Sequence, residues 1–238
     1  MKKLASRLPR PDQIIVISAH WEENVATITS SESPSLIYDY YGFPPESYEI
    51  KYPCKGNPSL AQEIHDSIVK GGAKAKLDEK RGFDHGVFVP LKIMYPKADI
   101  PCVQISLLKS LDPFNHILLG KALQKIKQEN LLIIGSGFSF HHLKMFFAPS
   151  TPEIEEKNKQ FEEWLLDTCG SKEYTEAERE KKLIEWAKAP SARFCHPREE
   201  HLLPLHVCYG VAKGPSTTSF ELEILNKKSS MYHWKVES

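Results

Sequence analysis

The run Gln13-Ile14-Ile15-Val16-Ile17-Ser18 constrains this chain most. Its four central residues, Ile14 to Ile17, are all β-branched; the run is too short for a helix and has polar flanks, the pattern of a strand buried on both faces. Such a strand needs a covering layer on each side. Two further runs, Ile100 to Leu107 and Leu131 to Ile134, read the same way. Helix signals alternate with them. Asn57-Pro58 precedes apolar Leu60, Ile64 and Ile68 and closes at Gly71-Gly72. Asp112-Pro113 supplies a cap and a first-turn proline for a helix expected to reach Gln128. Thr151-Pro152 opens a third helix, and an apolar helix is expected from about Glu200 to Ala212. Charge dominates from Lys172 to Lys182, which reads as a solvated loop, whereas Phe220 to Leu225 and Met231 to Val236 read as closing strands. Interleaved strands and helices predict an α/β fold: one domain over 1-238, with a central, mostly parallel or mixed sheet flanked by helices.

Composition narrows the function. Lys plus Arg and Asp plus Glu each number 31, so no net charge draws the chain to nucleic acid or to an anionic membrane. No apolar run approaches the roughly 20 residues of a spanning helix. The basic start, Met1-Lys2-Lys3, lacks the apolar stretch of a signal peptide. Cysteines 54, 102, 169, 195 and 208 lack CxxC spacing and are expected to be reduced thiols in a cytoplasmic protein.

The histidines carry the chemistry. His65, His116, His206 and His233 sit inside expected helices or strands without polar company and read as structural. Four others stand where elements end. His20 follows the first strand, His85 lies in Gly82-Phe83-Asp84-His85-Gly86, His141 follows the Gly135-Ser136-Gly137 break, and His201 opens the expected helix after Glu200. Four imidazoles at element ends suggest a metal or proton-transfer site, since neutral imidazole is the commonest protein ligand for iron and zinc. No Walker A, HExxH or GxSxG pattern is present. The aromatic stretch Tyr38 to Pro44 reads equally well as the wall of an aromatic pocket and as a loop packed on the core.

Six motifs resemble, in order, those of the class III extradiol ring-cleavage dioxygenases, and within them the DOPA 4,5-dioxygenase group. They are Ile17-Ser18-Ala19-His20-Trp21-Glu22, Tyr38-x-x-x-Gly42-Phe43-Pro44, Gly82-Phe83-Asp84-His85-Gly86, Pro101-x-Val103-Gln104-x-Ser106, Gly135-Ser136-Gly137-x-x-x-His141-x-Leu143 and Glu200-His201-x-x-Pro204-Leu205. The resemblance implies that His20 and His201 are metal ligands and that His141 is the catalytic acid/base. It makes His85 a second catalytic residue that also lines the substrate pocket, with Tyr38 and Asp84 as further substrate-binding residues. The implied reaction inserts O₂ into a small catechol at non-haem Fe(II), because Zn(II) has no accessible redox state. Zn(II) would compete for the site of the isolated protein.

Relatives of this kind begin with a strand and a His-Gly motif that supplies one more ligand, and no such motif precedes His20. The expectation is therefore a weakened metal site and a sheet edge exposed beside the Gln13 strand, an invitation to form a homo-oligomer. The alternative reading is a catalytically impaired metal-binding or protein-interaction relative.

Overall fold

The first strand, β1 (Gln13–Glu23), lies inside a five-stranded sheet of order β3-β2-β4-β1-β5. Its companions in this computed structural model, which describes residues 1–236, are β2 (Ala26–Thr29), β3 (Ala75–Asp78), β4 (Cys102–Leu108) and β5 (Leu131–Ser136). The last two residues of the 1-238 span lie outside the described residues. β1 is parallel to both β4 and β5, β2 is parallel to β3, and β2 meets β4 antiparallel. The sheet is thus mixed and mostly parallel, as the sequence predicts.

The helices are α1 (Lys2–Ala5), α2 (Pro58–Lys70), α3 (His85–Met94), α4 (Pro113–Leu123), α5 (Leu143–Phe146), α6 (Pro152–Gly170), α7 (Glu176–Ile184), α8 (Ala192–Cys195) and α9 (Leu203–Ala212). The expected caps are made: Asn57 accepts from Leu60 N–H, Asp112 from Asn115 N–H and Thr151 from Ile154 N–H. Alternation along β1 divides the core. Ile15 and Ile17 pack with Leu60 and Ile64 of α2, Leu119 of α4, and Leu203 and Val207 of α9. Ile14 and Val16 face the other way, toward Val87, Phe88 and Leu91 of α3. A third cluster gathers Phe161 and Leu165 of α6, Leu183 of α7 and Trp186 beyond the sheet. No described helix is long and apolar enough to cross a membrane. All five cysteines are free, and four of them are buried.

Several expectations need correction. The Gln13 strand has no exposed edge, since β4 and β5 flank it; the free edges are β3 and β5. Accordingly Leu131 to Ile134 are only half-buried rather than fully enclosed. The charged stretch after Lys172 is largely helical. A reciprocal capping box of Thr175 and Glu178 opens α7, and Arg179 is buried against the carbonyls of Thr168 and Ser171. The two C-terminal strands, β6 (Thr218–Ile224) and β7 (Lys227–His233), form a hairpin of their own instead of closing the main sheet. Finally, α4 stops at Leu123, and α9 starts at Leu203, so His201 lies in the turn before the helix.

Candidate metal and proton-transfer site

The site lies where the parallel strands end, the usual place for ligands in open α/β sheets. Between Ile17 and Glu22, β1 advances five residues while its partner advances two, from Ile105 to Leu107. This bulge interrupts the pleat and re-aims His20. Ser18 anchors the bulge: its hydroxyl donates to Asp84 Oδ1 at 2.7 Å and accepts from His20 N–H at 3.2 Å. Gly86 allows the helix to approach, because a Cβ there would meet Ser18 Oγ at 2.3 Å and His20 Cδ2 at 3.1 Å.

The loop after β5 is held against the turn before α9. Phe138 N–H donates to the His201 carbonyl at 2.9 Å, and a Cβ on Gly137 would meet that carbonyl oxygen at 2.2 Å. His141 is fixed by its own N–H, which donates to the Cys195 carbonyl at 2.9 Å. Behind it, buried His196 donates from Nε2 to the Ser139 carbonyl at 2.8 Å. Burial pushes the pKa of His196 down to about 4, so it stays neutral.

Together these elements place four imidazoles in one row. Ring centroids are 3.8 Å apart for His85 and His20, 4.8 Å for His20 and His201, and 3.4 Å for His201 and His141. Hydrogen bonding sorts the row into two kinds. His85 Nδ1 lies 2.8 Å from Asp39 Oδ1, and His141 Nδ1 lies 3.1 Å from Glu200 Oε1. His20 and His201 make no side-chain hydrogen bond among the described residues, and His201 Nδ1 is buried without a partner. An orphaned buried nitrogen costs free energy unless something binds it, and a metal ion would.

The electrostatics agree. Burial, then neighbouring His85, lowers the pKa of His20; burial, then His141 and His20, drives that of His201 far below the usual imidazole range. Both are held neutral, the form that coordinates metal. The two carboxylates behave oppositely. Burial raises the pKa of each, but hydrogen bonds and nearby positive charge, led by His85 for Asp39 and by His141 with Arg198 for Glu200, together outweigh it, so both titrate below their ordinary values. The potential ligand atoms form two trios, His20–Asp39–His85 and His141–Glu200–His201, each within 4.8 Å. Nitrogen and carboxylate donors in such sets suit non-haem iron or zinc.

Two of the candidates named by sequence sit differently. Tyr38 donates its hydroxyl to the Ile50 carbonyl at 2.6 Å and packs on Phe88. Asp84 is fully buried, accepting from Ser18, Gln104 and Arg81. Its carboxylate faces the row from behind, where its charge favours the protonated form of His20. Conversely, sequence reasoning misses Asp39, Glu200, Arg198 and His196. Arg198 forks onto both carboxylate oxygens of Glu22 at 2.6 and 2.7 Å and reaches Glu200 at 3.3 Å, tying the His201 segment to β1. Asp39 lies within the Tyr38-x-x-x-Gly42 motif and Glu200 directly precedes His201, so acids lying inside or beside the motifs are the signal that points to both.

Comparison with known proteins points in the same direction. Residues 2–235 match the family described as the catalytic LigB subunit of aromatic ring-opening dioxygenase. The chain is 40% identical over 216 residues to dioxygenase tasH of Hapsidospora irregularis, covering 85% of this chain and 65% of that protein, just under two thirds of its length. It is also 40% identical over 204 residues to 4,5-DOPA dioxygenase extradiol of Beta vulgaris, covering 85% of this chain and 74% of the other. A crystal structure of an uncharacterized Escherichia coli K12 protein superimposes with a TM-score of 0.77 at 28% identity, over 96% of this chain and 88% of that one.

Proposed function

Because this chain belongs to the aromatic ring-opening dioxygenase family of the LigB catalytic subunit, we propose that it cleaves a small catechol, of the DOPA type, by extradiol insertion of O₂. The sorting of four adjacent imidazoles into two without ring hydrogen bonds among the described residues and two tied to carboxylates carries this reading.

His20 and His201 would hold a non-haem Fe(II), with Zn(II) able to occupy the same ligands. The bound ion would acidify the catechol hydroxyls, bring catechol and O₂ together and supply redox capacity. His141, whose Nδ1 faces Glu200, presents Nε2 as the base that takes a hydroxyl proton and later returns it as the ring opens. His85 stands at the opposite end of the row, where it hydrogen-bonds the substrate. Tyr38 and Asp84 support the pocket at one remove. Tyr38 sets the aromatic loop on which Tyr40 meets His85 edge-on, with centroids 5.4 Å apart, and Asp84 sets His20 through Ser18.

Anaerobic loading with Fe(II), followed by addition of O₂ and a catechol such as DOPA, tests the proposal. The expected result is one O₂ consumed per yellow ring-opened product, with both atoms of labelled O₂ retained in it before any exchange. Tight metal binding without O₂ uptake across a panel of catechols would overturn it and assign a metal-binding relative instead.

A further inference from the structure

We propose that Asp39 is a positioning residue that fixes His85 as the Nδ1–H tautomer and so presents its Nε2 lone pair to a hydroxyl-bearing substrate. This inference rests on the functional reading above for its consequence, though not for its geometry.

The chain path brings the two residues together. Leu36 and Phe83 form an isolated parallel bridge; Phe83 N–H donates to the Ser35 carbonyl at 2.7 Å, and Ile37 N–H donates to the Phe83 carbonyl at 2.8 Å. The two segments leave the bridge side by side, so Asp39 arrives next to His85, two residues beyond Phe83. There a single oxygen, Oδ1, accepts the His85 backbone N–H at 3.0 Å and faces Nδ1 at 2.8 Å. The backbone bond pins the carboxylate at the first turn of α3, where N–H groups lack helical partners.

An ionised carboxylate has no proton to donate. A carboxyl is ionised at neutral pH and above, and here Oδ1 serves as acceptor for both the backbone N–H and the ring of His85. A neutral His85 can therefore satisfy Asp39 only with its proton on Nδ1. An isolated imidazole in water prefers the proton on Nε2, so the carboxylate reverses the intrinsic preference. Neighbouring rings stop the imidazole from turning over: His20 lies at 3.8 Å, and Tyr40 meets it edge-on at 5.4 Å.

The consequence is a choice of ligand chemistry. Neutral His85 offers an acceptor at Nε2, which suits a phenolic O–H and leaves an ether oxygen in the same place without a donor. A site built to accept a hydroxyl proton rejects the analogue lacking it, because the acceptor is covered by the bound analogue and left unpaired. Asp39 would thus help the protein prefer a free catechol over its O-methylated counterpart while touching neither.

Imidazole tautomers can be read directly in the metal-free protein by two-bond ¹H–¹⁵N correlation at about pH 8, where an ordinary imidazole is neutral. His85 is identified by its absence from the spectrum of His85→Gln. The wild-type protein should show His85 protonated at Nδ1. Asp39→Ala should move the proton to Nε2, whereas Asp39→Asn, whose amide oxygen can still accept, should keep it on Nδ1 and confirms that the pocket is intact. In the iron-loaded protein, Asp39→Ala should raise KM for a catechol about tenfold or more and narrow the preference over the O-methylated analogue. His85 protonated at Nε2 in the wild type, or an unchanged tautomer in Asp39→Ala, would overturn the proposal. A tautomer shift in a protein that cleaves no catechol would leave the positioning role standing and defeat the functional reading instead.

Discussion

His141 lies flat on His201, with ring centroids 3.4 Å apart and planes 17° from parallel. Two imidazolium charges at that separation would repel each other strongly, so the stack favours a pair with at least one neutral ring. His201 is that ring: burial and the neighbouring imidazoles hold its pKa far down, and its Nδ1 has no hydrogen-bond partner among the described residues. His141 has Glu200 at 3.1 Å to stabilise a positive charge when it takes a proton. The stack thus joins a partnerless histidine to one tied to a carboxylate, and at the other end of the row His20 and His85 make a second such pair, with centroids 3.8 Å apart and planes tilted by 43°.

This division can be measured. Replacing His20 or His201 by Ala should remove most of the Fe(II) or Zn(II) bound by the purified protein. The loss should exceed the roughly 10- to 100-fold that removing a supporting outer group costs. Replacing His141 or His85 by Ala should leave metal content near wild type while lowering turnover. For His141 the loss should be about 10²- to 10⁴-fold, the usual worth of a general acid/base. Metal analysis and steady-state kinetics on the same preparations provide the check, and equal metal loss in all four variants would defeat the assignment.

Gly86 should be as intolerant as a ligand. A methyl group there would meet Ser18 Oγ at 2.3 Å and His20 Cδ2 at 3.1 Å, displacing the bulge that aims His20. Gly86→Ala is expected to lower metal affinity at least tenfold, with a smaller effect on thermal stability, since only one bulge must shift. Titration with Zn(II) alongside a melting curve separates the two effects.

Arg198 and Glu200 give a third expectation. Glu200→Gln keeps a hydrogen-bonding side chain but removes the charge that favours protonated His141, so kcat should fall while metal content holds. Arg198→Ala should act more weakly on kcat. Its exposed pair with Glu22 is worth only about 1 kcal/mol or less, though losing it frees the segment that carries Glu200 and His201. Parallel measurement of kcat and metal stoichiometry distinguishes these outcomes.

Much of this was legible in the sequence because local rules sufficed. The Ile14–Ile17 run could only be a doubly buried strand, and the caps at Asn57, Asp112 and Thr151 each act within three residues. What escaped depends on contacts distant in the chain. β2 and β3 are four residues each and become strands by pairing across the sheet. Asp39 meets His85 across 46 positions, and Arg198 meets Glu22 across 176. The helix α7 was obscured for another reason: its charges suggested solvent, while Arg179 within it is buried and bonded to carbonyls that no local pattern reveals.

A final expectation concerns stability rather than catalysis. Glu162, on α6, is buried beneath the β6–β7 hairpin; its Oε2 accepts from Ser230 Oγ at 2.5 Å and its Oε1 has no partner among the described residues. Burial raises its pKa from 4.5 to about 7, with nearby Glu221 adding to the rise and Ser139, Ser230 and Lys228 offsetting only part of it. The folded chain therefore holds a proton on this carboxyl between pH 4.5 and about 7 that the unfolded chain releases. The contribution of Glu162 to stability therefore falls as pH rises across that window, since at this site the folded state binds more protons than the unfolded one. The full effect is at most about 3 to 4 kcal/mol, because each pH unit of the window contributes about 1.4 kcal/mol. In Glu162→Gln the contribution is absent. Urea unfolding of the metal-free proteins at several pH values should show the variant gaining on wild type as pH increases from 4.5 to 7. The histidines that titrate nearby, His116 and His196, are common to both proteins and cancel in the difference. A difference independent of pH would mean that Glu162 is ionised beneath the hairpin throughout, with a partner at Oε1 supplied by solvent.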